Sequence, residues 1–333
     1  MESLSRKEGR REGGACAAPR PRDGMRREGI AFSGRRGEAW ALIWANRRDY
    51  PYVLPATLAI ALVMLYPLGY VIYLSFFRTS LFSPVPRFDG LGNYVRLLTS
   101  EKFWIVLTNT LEWTVGATAL AFVWGLVAAL VLNQEIPGRT ALRNILLLPY
   151  VISYVVAGYV WVWIFHGQFG LANSLLRQIG IIEQPIQFLE SMRLVMYTLI
   201  FTQAWKTAPF VMIMLTAGLQ TIPPQLYAAA RVDGAGKWQQ FREITWPHLL
   251  PFTILTLSLQ TLSNFHSFTL PWIMTGGGPM FRTHVFATYI YLVSFSELNF
   301  GLASAAAVVV AAVAGAAGVF YVRSVIRLQK EGA

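Results

Sequence analysis

Residues 50–77 read YPYVLPATLAIALVMLYPLGYVIYLSFF and contain no charged side chain. About 20 apolar residues in a helix suffice to cross the hydrocarbon core of a bilayer. The run is therefore long enough to span one, and it does not stand alone. Residues 144–176, 244–281 and 298–322 are also free of charge, while 111–133 carries only Glu112 and 194–230 only Lys206. Six transmembrane helices are predicted, over 53–77, 104–132, 142–165, 194–219, 251–274 and 300–323. Helices are the economical form because each satisfies its own backbone hydrogen bonds in lipid. The short alternating segments of a transmembrane β-barrel are missing. Composition agrees with an all-α membrane protein. Hydrophobic residues make up 55% of the 333 and charged residues 14%, where soluble domains carry about 25% charged. A soluble helical bundle does not need six such runs.

The net charge is +11, and the basic residues crowd one end. The first 49 residues hold 12 of the 28 Lys and Arg. By the excess of Lys and Arg on cytoplasmic segments, this tail is placed inside the cell. An even number of spans returns the C-terminus to the same side. Loops 133–143 and 220–250 are then cytoplasmic, and 78–103, 166–192 and 275–299 face outward. Arg78, Arg87, Arg96 and Lys102 on the first outward loop weaken the contrast between loops. The tail, rich in Gly, Arg and Glu, reads as disordered. It has no apolar core of a secretory signal. Its charge is read as attraction to anionic lipid rather than to nucleic acid. Met25 is an alternative start, which would leave residues 1–24 untranslated. Trp40, Leu42, Ile43 and Trp44 before Arg47 and Arg48 read as a short interfacial helix.

Catalytic and cofactor signatures are lacking. Cys16 is the single cysteine, so it forms neither an internal disulfide nor a cysteine-based metal site. His166, His248, His266 and His284 show no metal-ligand spacing. Gly234-Ala235-Gly236-Lys237 fails as a phosphate loop: Arg231 stands where the motif needs glycine, and Trp238 where Ser or Thr would bind magnesium. No cofactor site is expected in this chain.

The cytoplasmic loop is the most informative segment. Residues 220–251 read QTIPPQLYAAARVDGAGKWQQFREITWPHLLP. Pro223 and Pro224 end the fourth span and suit the first turn of a new helix. Leu226, Tyr227, Ala228, Ala229 and Ala230 continue it with a slim surface that another protein can approach. After Asp233, Gly234 sits where a chain leaving a helix takes a positive φ. Ala235 follows it. A second helix, from 237 to 246, gathers Trp238, Phe241 and Thr245 on one face, with Ile244 beside them. The product is a helix–glycine–helix elbow, read from physics alone either as a docking lever or as a packed loop.

The same loop resembles the EAA loop of ABC importer permeases. Ala229-Ala230, Asp233-Gly234-Ala235, Phe241, Ile244, Pro247 and Pro251 follow that pattern in order and spacing. Ala228 departs from it, standing where the family carries glutamate, so a contact made by that carboxylate is absent or replaced. The resemblance covers nearly everything after the tail. LPATLAIALVMLYPLGYVIYLSFF, FDGLGNYVRLL, FWIVLTNTL, 143–149, AGLQTIPP, MTGGGP and FGLASAAAVVV are all similar to the carbohydrate-uptake group of maltose and glycerol-phosphate permeases. It implies a heterodimer with a second permease, two cytoplasmic ATPase subunits that bind ATP and magnesium, and an extracytoplasmic solute-binding protein. It also implies that the helix near 226–233 docks in a cleft of the ATPase. Gly276, Gly277, Gly278 and Pro279 would belong to the surface facing the binding protein; by sequence alone they form a tight turn.

Sugars need amides, hydroxyls and aromatic rings along their path. Thr256, Gln260, Ser263, Asn264 and Ser267 recur at helical spacing in the fifth span. Polar residues at membrane depth face the bundle interior, or hydrogen-bond between helices. Thr256 and Ser263 are read as interhelical, and Gln260, Asn264 and Ser267 as pathway candidates. Lys206 in mid-span needs a partner or water. Pathway lining, an ion pair with Glu112, and snorkelling stay open for it. Trp205 is a candidate stacking platform, and His266 could serve either role.

Two other classes compete with a transporter subunit. An intramembrane glycosyl-transfer enzyme needs clustered acids, and the ten acids outside the tail do not cluster in sequence. An ion-coupled carrier commonly carries an internal repeat, and none relates 53–165 to 194–323. The sugar itself is not legible.

Overall fold

The computed structural model describes residues 50–331 apart from 82. The basic tail and its expected interfacial helix lie outside the described residues. The chain divides into two units, Met1–Ile60 and Ala61–Ala333. In the first unit, residues 51–60 are helical and every side chain is exposed. They open helix α1, Tyr50–Ser75.

In the second unit one long helix turns many polar and small residues inward, beside the buried Phe103, Val106, Trp113 and Leu132. Helix α3, Glu101–Leu132, buries Asn109, Thr110, Thr114, Ala117, Thr118, Ala121, Gly125 and Ala129. It exposes Leu111, Val115, Val123, Val127 and Val131. Small residues inward and branched aliphatics outward are what lipid rather than water selects, since close backbone approach replaces the hydrophobic drive. Helix α7, Val195–Gln220, lies along α3. A Cβ added at Gly125 would come within 2.9 Å of the Ala208 carbonyl oxygen. The helices therefore meet backbone to backbone there.

Among the described residues, four helices are long and apolar enough to cross a membrane, namely Pro51–Ser75, Glu101–Leu132, Val195–Gln220 and Phe300–Val319. The last belongs to α13, Phe300–Glu331. The expected unbroken helix over 142–165 is corrected. It is two helices, α4 Arg139–Val151 and α5 Tyr154–Ile164, meeting at 98°. Pro149 loosens the last turn of α4, since proline has no N–H to give and crowds the carbonyl four residues back. Ile152 and Ser153 then turn extended, with ψ of 136° and 144°.

The segment expected to cross over 251–274 begins earlier and stops sooner. Helix α10 runs Trp246–Phe265, and a separate short helix, α11, covers Thr269–Thr275. Its inward Thr, Gln and Asn keep α10 out of the four most apolar helices. Phe241–Thr245 is a π turn that joins α9, Lys237–Gln240, to α10 without a break. Pro247 explains it. The helix widens just ahead of a ring that would crowd the preceding turn, and the Trp246 N–H reaches back five residues to Phe241.

The all-α expectation also needs one amendment. Phe77–Ser80 (β1) and Ser83–Phe88 (β2) form an antiparallel hairpin. Helix α2, Gly92–Thr99, anchors its base. Asn93, fully buried, donates to the carbonyls of Ser75 and Phe77 at 2.8 and 2.9 Å. Among the described residues, Leu171–Gln178 (α6), Pro224–Val232 (α8) and Phe286–Tyr291 (α12), the last running on into a π turn at Leu292–Ser296, complete the helices.

Three of the four basic residues in 78–103 are paired. Arg78 and Arg96 flank Asp89 at 3.1 and 2.9 Å, and Lys102 reaches Glu297 at 3.4 Å. The Arg78 hydrogen bond, assisted by Arg96 against some desolvation, holds the Asp89 carboxyl below its ordinary range.

Candidate functional site

The elbow is present as expected. Helix α8 starts on Pro224, and Gly234 takes φ +79°. The Ala235 N–H returns to the Ala230 carbonyl at 2.8 Å and the Gly234 N–H to Arg231 at 3.2 Å. These paired bonds close the helix in a Schellman turn. Two side-chain contacts then brace the arms. The Tyr227 hydroxyl meets Thr245 Oγ1 at 2.9 Å, and Gln240 Nε2 donates to the Ala235 carbonyl at 2.8 Å. Outside this brace, Leu226, Ala228, Ala229, Asp233 and Gly234 are exposed. Val232 is 88% and Trp238 73% exposed. The Trp238 ring stacks on Phe241 at 5.7 Å. A slim rigid helix with uncovered aliphatic and aromatic edges is a surface shaped for another protein.

The polar candidates separate. Gln260 and Asn264 point inward and are buried, as is Thr256. Ser263 faces out, and Ser267 is half-buried beyond the end of the helix. Asn264 ties three helices. Its Oδ1 accepts from Gln203 at 2.7 Å, its Nδ2 donates to Thr118 at 3.0 Å, and its backbone carbonyl accepts from Trp113 Nε1 at 3.0 Å. Two amide atoms beside this knot, Gln260 Nε2 and Gln203 Oε1, are buried without a hydrogen-bond partner among the described residues. Gln203 carried no sequence signal beyond its place near Lys206, and Thr118 and Trp113 carried none.

Lys206 does not pair with Glu112. It is buried, and its ammonium donates to the Tyr150 carbonyl at 3.0 Å while sitting over the rings of Tyr154 and Tyr150, at 4.7 and 5.6 Å. The bend between α4 and α5 makes that bond available. A continuous helix would have given the Tyr150 carbonyl to the N–H of Tyr154. The lysine therefore fills the bond that the break leaves open. Trp205 lines an apolar cavity of about 320 Å³ between α3, α4 and α7, and its ring packs edge-on to Trp161 at 5.2 Å.

Glu112 is held by Arg282, a fork of 2.7 and 3.0 Å. Arg282 also donates to Asn109 at 3.1 Å. This fork follows the Gly276–Pro279 turn and fastens it to α3. Gly276 and Gly277 have φ of +59° and +89°. A Cβ on Gly277 would fall within the His284 ring, so the turn requires glycine there. Burial, with Lys102 adding to it, pushes the His284 imidazole below its ordinary range. A depressed histidine stabilises the fold fully above its unfolded pKa of about 6.5. That contribution is lost as pH falls from there through the folded value. Thermal melts of the detergent-solubilised protein should show a fall in Tm below about pH 6.5 that His284→Gln flattens. Equal slopes in both proteins would remove His284 as the cause.

Among the described residues no group of three His, Cys, Asp or Glu is placed to hold a metal ion. Residues 121–330 match the family model described as a binding-protein-dependent transport system inner membrane component. The sulfoquinovosyl glycerol transport system permease of Agrobacterium fabrum is 36% identical over 81% of this chain and 87% of its own length. The trehalose/maltose transport system permease of Thermococcus litoralis is 32% identical over 76% and 83%. In a bacterial alginate ABC transporter, crystallised with its alginate pentasaccharide-bound periplasmic protein, one chain superposes with a TM-score of 0.71 at 26% identity. It covers 85% of this chain and 95% of that one.

Proposed function

The chain belongs to the binding-protein-dependent transport inner-membrane components, as a permease subunit of a sugar ABC importer, and from that premise we propose how it works. It is a multi-pass membrane protein and a transport subunit, not an enzyme. ATP hydrolysis resides in a separate subunit. In the proposed assembly it forms half of the pathway with a second permease, while two cytoplasmic ATPases hold the ATP and magnesium. The chain crosses the membrane six times, counting the bent α4–α5 pair and α10, with both termini inside. A binding protein delivers a di- or oligosaccharide or related solute to the outer face.

The braced elbow carries this reading. A short helix locked at both ends to membrane segments passes on a rigid-body push, whereas a slack loop would absorb it. Leu226, Tyr227, Ala228, Ala229, Ala230, Asp233, Gly234 and Ala235 form the surface that the ATPase grips. With Ala at 228, that grip does without a carboxylate at this position. Gln260 Nε2 and Gln203 Oε1, left unpartnered beside the Asn264 knot, are the amide atoms that sugar hydroxyls would satisfy. Reconstitution in vesicles tests the assignment. The four-part assembly with binding protein should import solute on ATP, and this chain alone should not. Unaided transport by the single chain would overturn it.

A further inference from the structure

We propose that the cleft between the β1–β2 hairpin and α2 is an acid-recognition site that receives a carboxylate side chain of the solute-binding protein. Arg78, Thr79, Ser80, Arg87, Arg96 and Asn299 line it, around about 470 Å³. Arg78 and Arg87 are direct cross-strand partners in the hairpin. Like charges placed opposite one another weaken a strand pair, so this register carries a cost. Asp89 is the one acid in ion-pair contact with the three guanidinium groups among the described residues. It is shared by Arg78 and Arg96. Arg87 has no ion pair among them, and two positive charges remain uncompensated.

A donor is also waiting. The ladder slips between Arg78 and Ser80, and the Thr79 hydroxyl within that slip is buried with no hydrogen-bond partner among the described residues. Guanidinium forks beside a free hydroxyl match a carboxylate, which accepts several hydrogen bonds on two oxygens. The isolated-strand contact Ser80–Asn299 and the Leu81 N–H bond to the Leu298 carbonyl tie the hairpin to the segment before α13. A carboxylate bound here therefore acts on the frame of the bundle, not on a loose tip. The occupant follows from charge and place. The proposal rests on the reading above that this loop faces outward, where the binding protein docks.

The test uses the whole assembly in phosphatidylcholine vesicles and follows binding-protein-stimulated ATPase activity against binding-protein concentration. Arg87→Glu places an acid opposite Arg78, which removes the repulsion and strengthens the hairpin, so misfolding is not the expected outcome. The half-saturating concentration of binding protein should rise roughly tenfold, as for loss of a charge-assisted interface contact. Maximal and basal rates should hold, and Arg87→Lys should stay near wild type. An unchanged half-saturation in Arg87→Glu overturns the proposal. So does a defect that appears only with added phosphatidylglycerol, which would assign the cleft to a lipid headgroup. A shift in solute dependence alone would assign it to a free anion and overturn it too. Orientation is read separately. Arg87→Cys in a Cys16→Ser background should react with an impermeant maleimide from outside. Reaction only from inside would sink the topology on which the functional reading depends, whatever Arg87→Glu does.

Discussion

Gly234→Asp is expected to abolish binding-protein-driven uptake while leaving the amount of permease in the membrane unchanged. The reason lies in what surrounds the glycine. Nothing stands within 4 Å of a Cβ built there, so the new side chain meets no clash inside the chain. The left-handed backbone at φ +79° costs a non-glycine residue about 1–2 kcal/mol, and aspartate tolerates that region better than most. Such a cost is small beside a domain stability of about 5–15 kcal/mol. What changes is the outer surface of the elbow, where a carboxylate now projects beside Val232. Losing one interface hot spot of about 2 kcal/mol lowers coupling roughly thirtyfold. Uptake in vesicles and ATPase stimulation should fall together, while Gly234→Ala, with the same backbone strain and little bulk, keeps most of both. Wild-type transport by Gly234→Asp would remove the elbow from the coupling path.

Asn264→Leu should destabilise the bundle. Leucine fits the volume but makes none of the bonds to Gln203 and Thr118. The Gln203 amide, already missing a partner on its Oε1, would lose the bond from its Nε2 to Asn264 as well. A buried polar group left unpaired costs about 1–3 kcal/mol, more than the average of about 0.6 kcal/mol for a single interhelical hydrogen bond in a bilayer. The loss should appear as a lower midpoint of unfolding in detergent. Asn264→Leu together with Gln203→Leu should recover part of it, because no amide is then stranded. If Asn264→Leu kept the wild-type midpoint and altered only which solute is carried, the residue would be lining a path and not tying helices.

Much of this was legible in the chain. Absence of charge over long runs locates spans because lipid offers no partner for a charge. The elbow was readable because prolines, glycine and the amphipathic face act over a few residues, and local geometry follows local chemistry. The bend at 152–153 was hidden. Pro149 marks a weak point, but the Tyr150 carbonyl needs Lys206, 56 residues later, before the break is tolerable. Glu112 and Lys206 looked like natural partners as the two charges within apolar runs. The actual partner of Glu112, Arg282, sits beyond a turn whose direction depends on Gly276 and Gly277. The hairpin was missed because SPVPRF holds two prolines and sits among charges, which reads as an irregular loop. Long-range pairings of this kind leave no period in a sequence.

The π turn has a mechanical corollary. Since it joins α9 to α10 without interruption, residues 237–265 form one continuous helix of about 42 Å at 1.5 Å per residue. A helix pivoted at its Asn264 end behaves as a crank. Tilting it by about 10° carries the end bearing Trp238 roughly 7 Å sideways, while Asn264 near the pivot hardly stirs. Small angular changes deep among the helices and broad sweeps at the elbow would then be one and the same displacement, viewed from opposite ends.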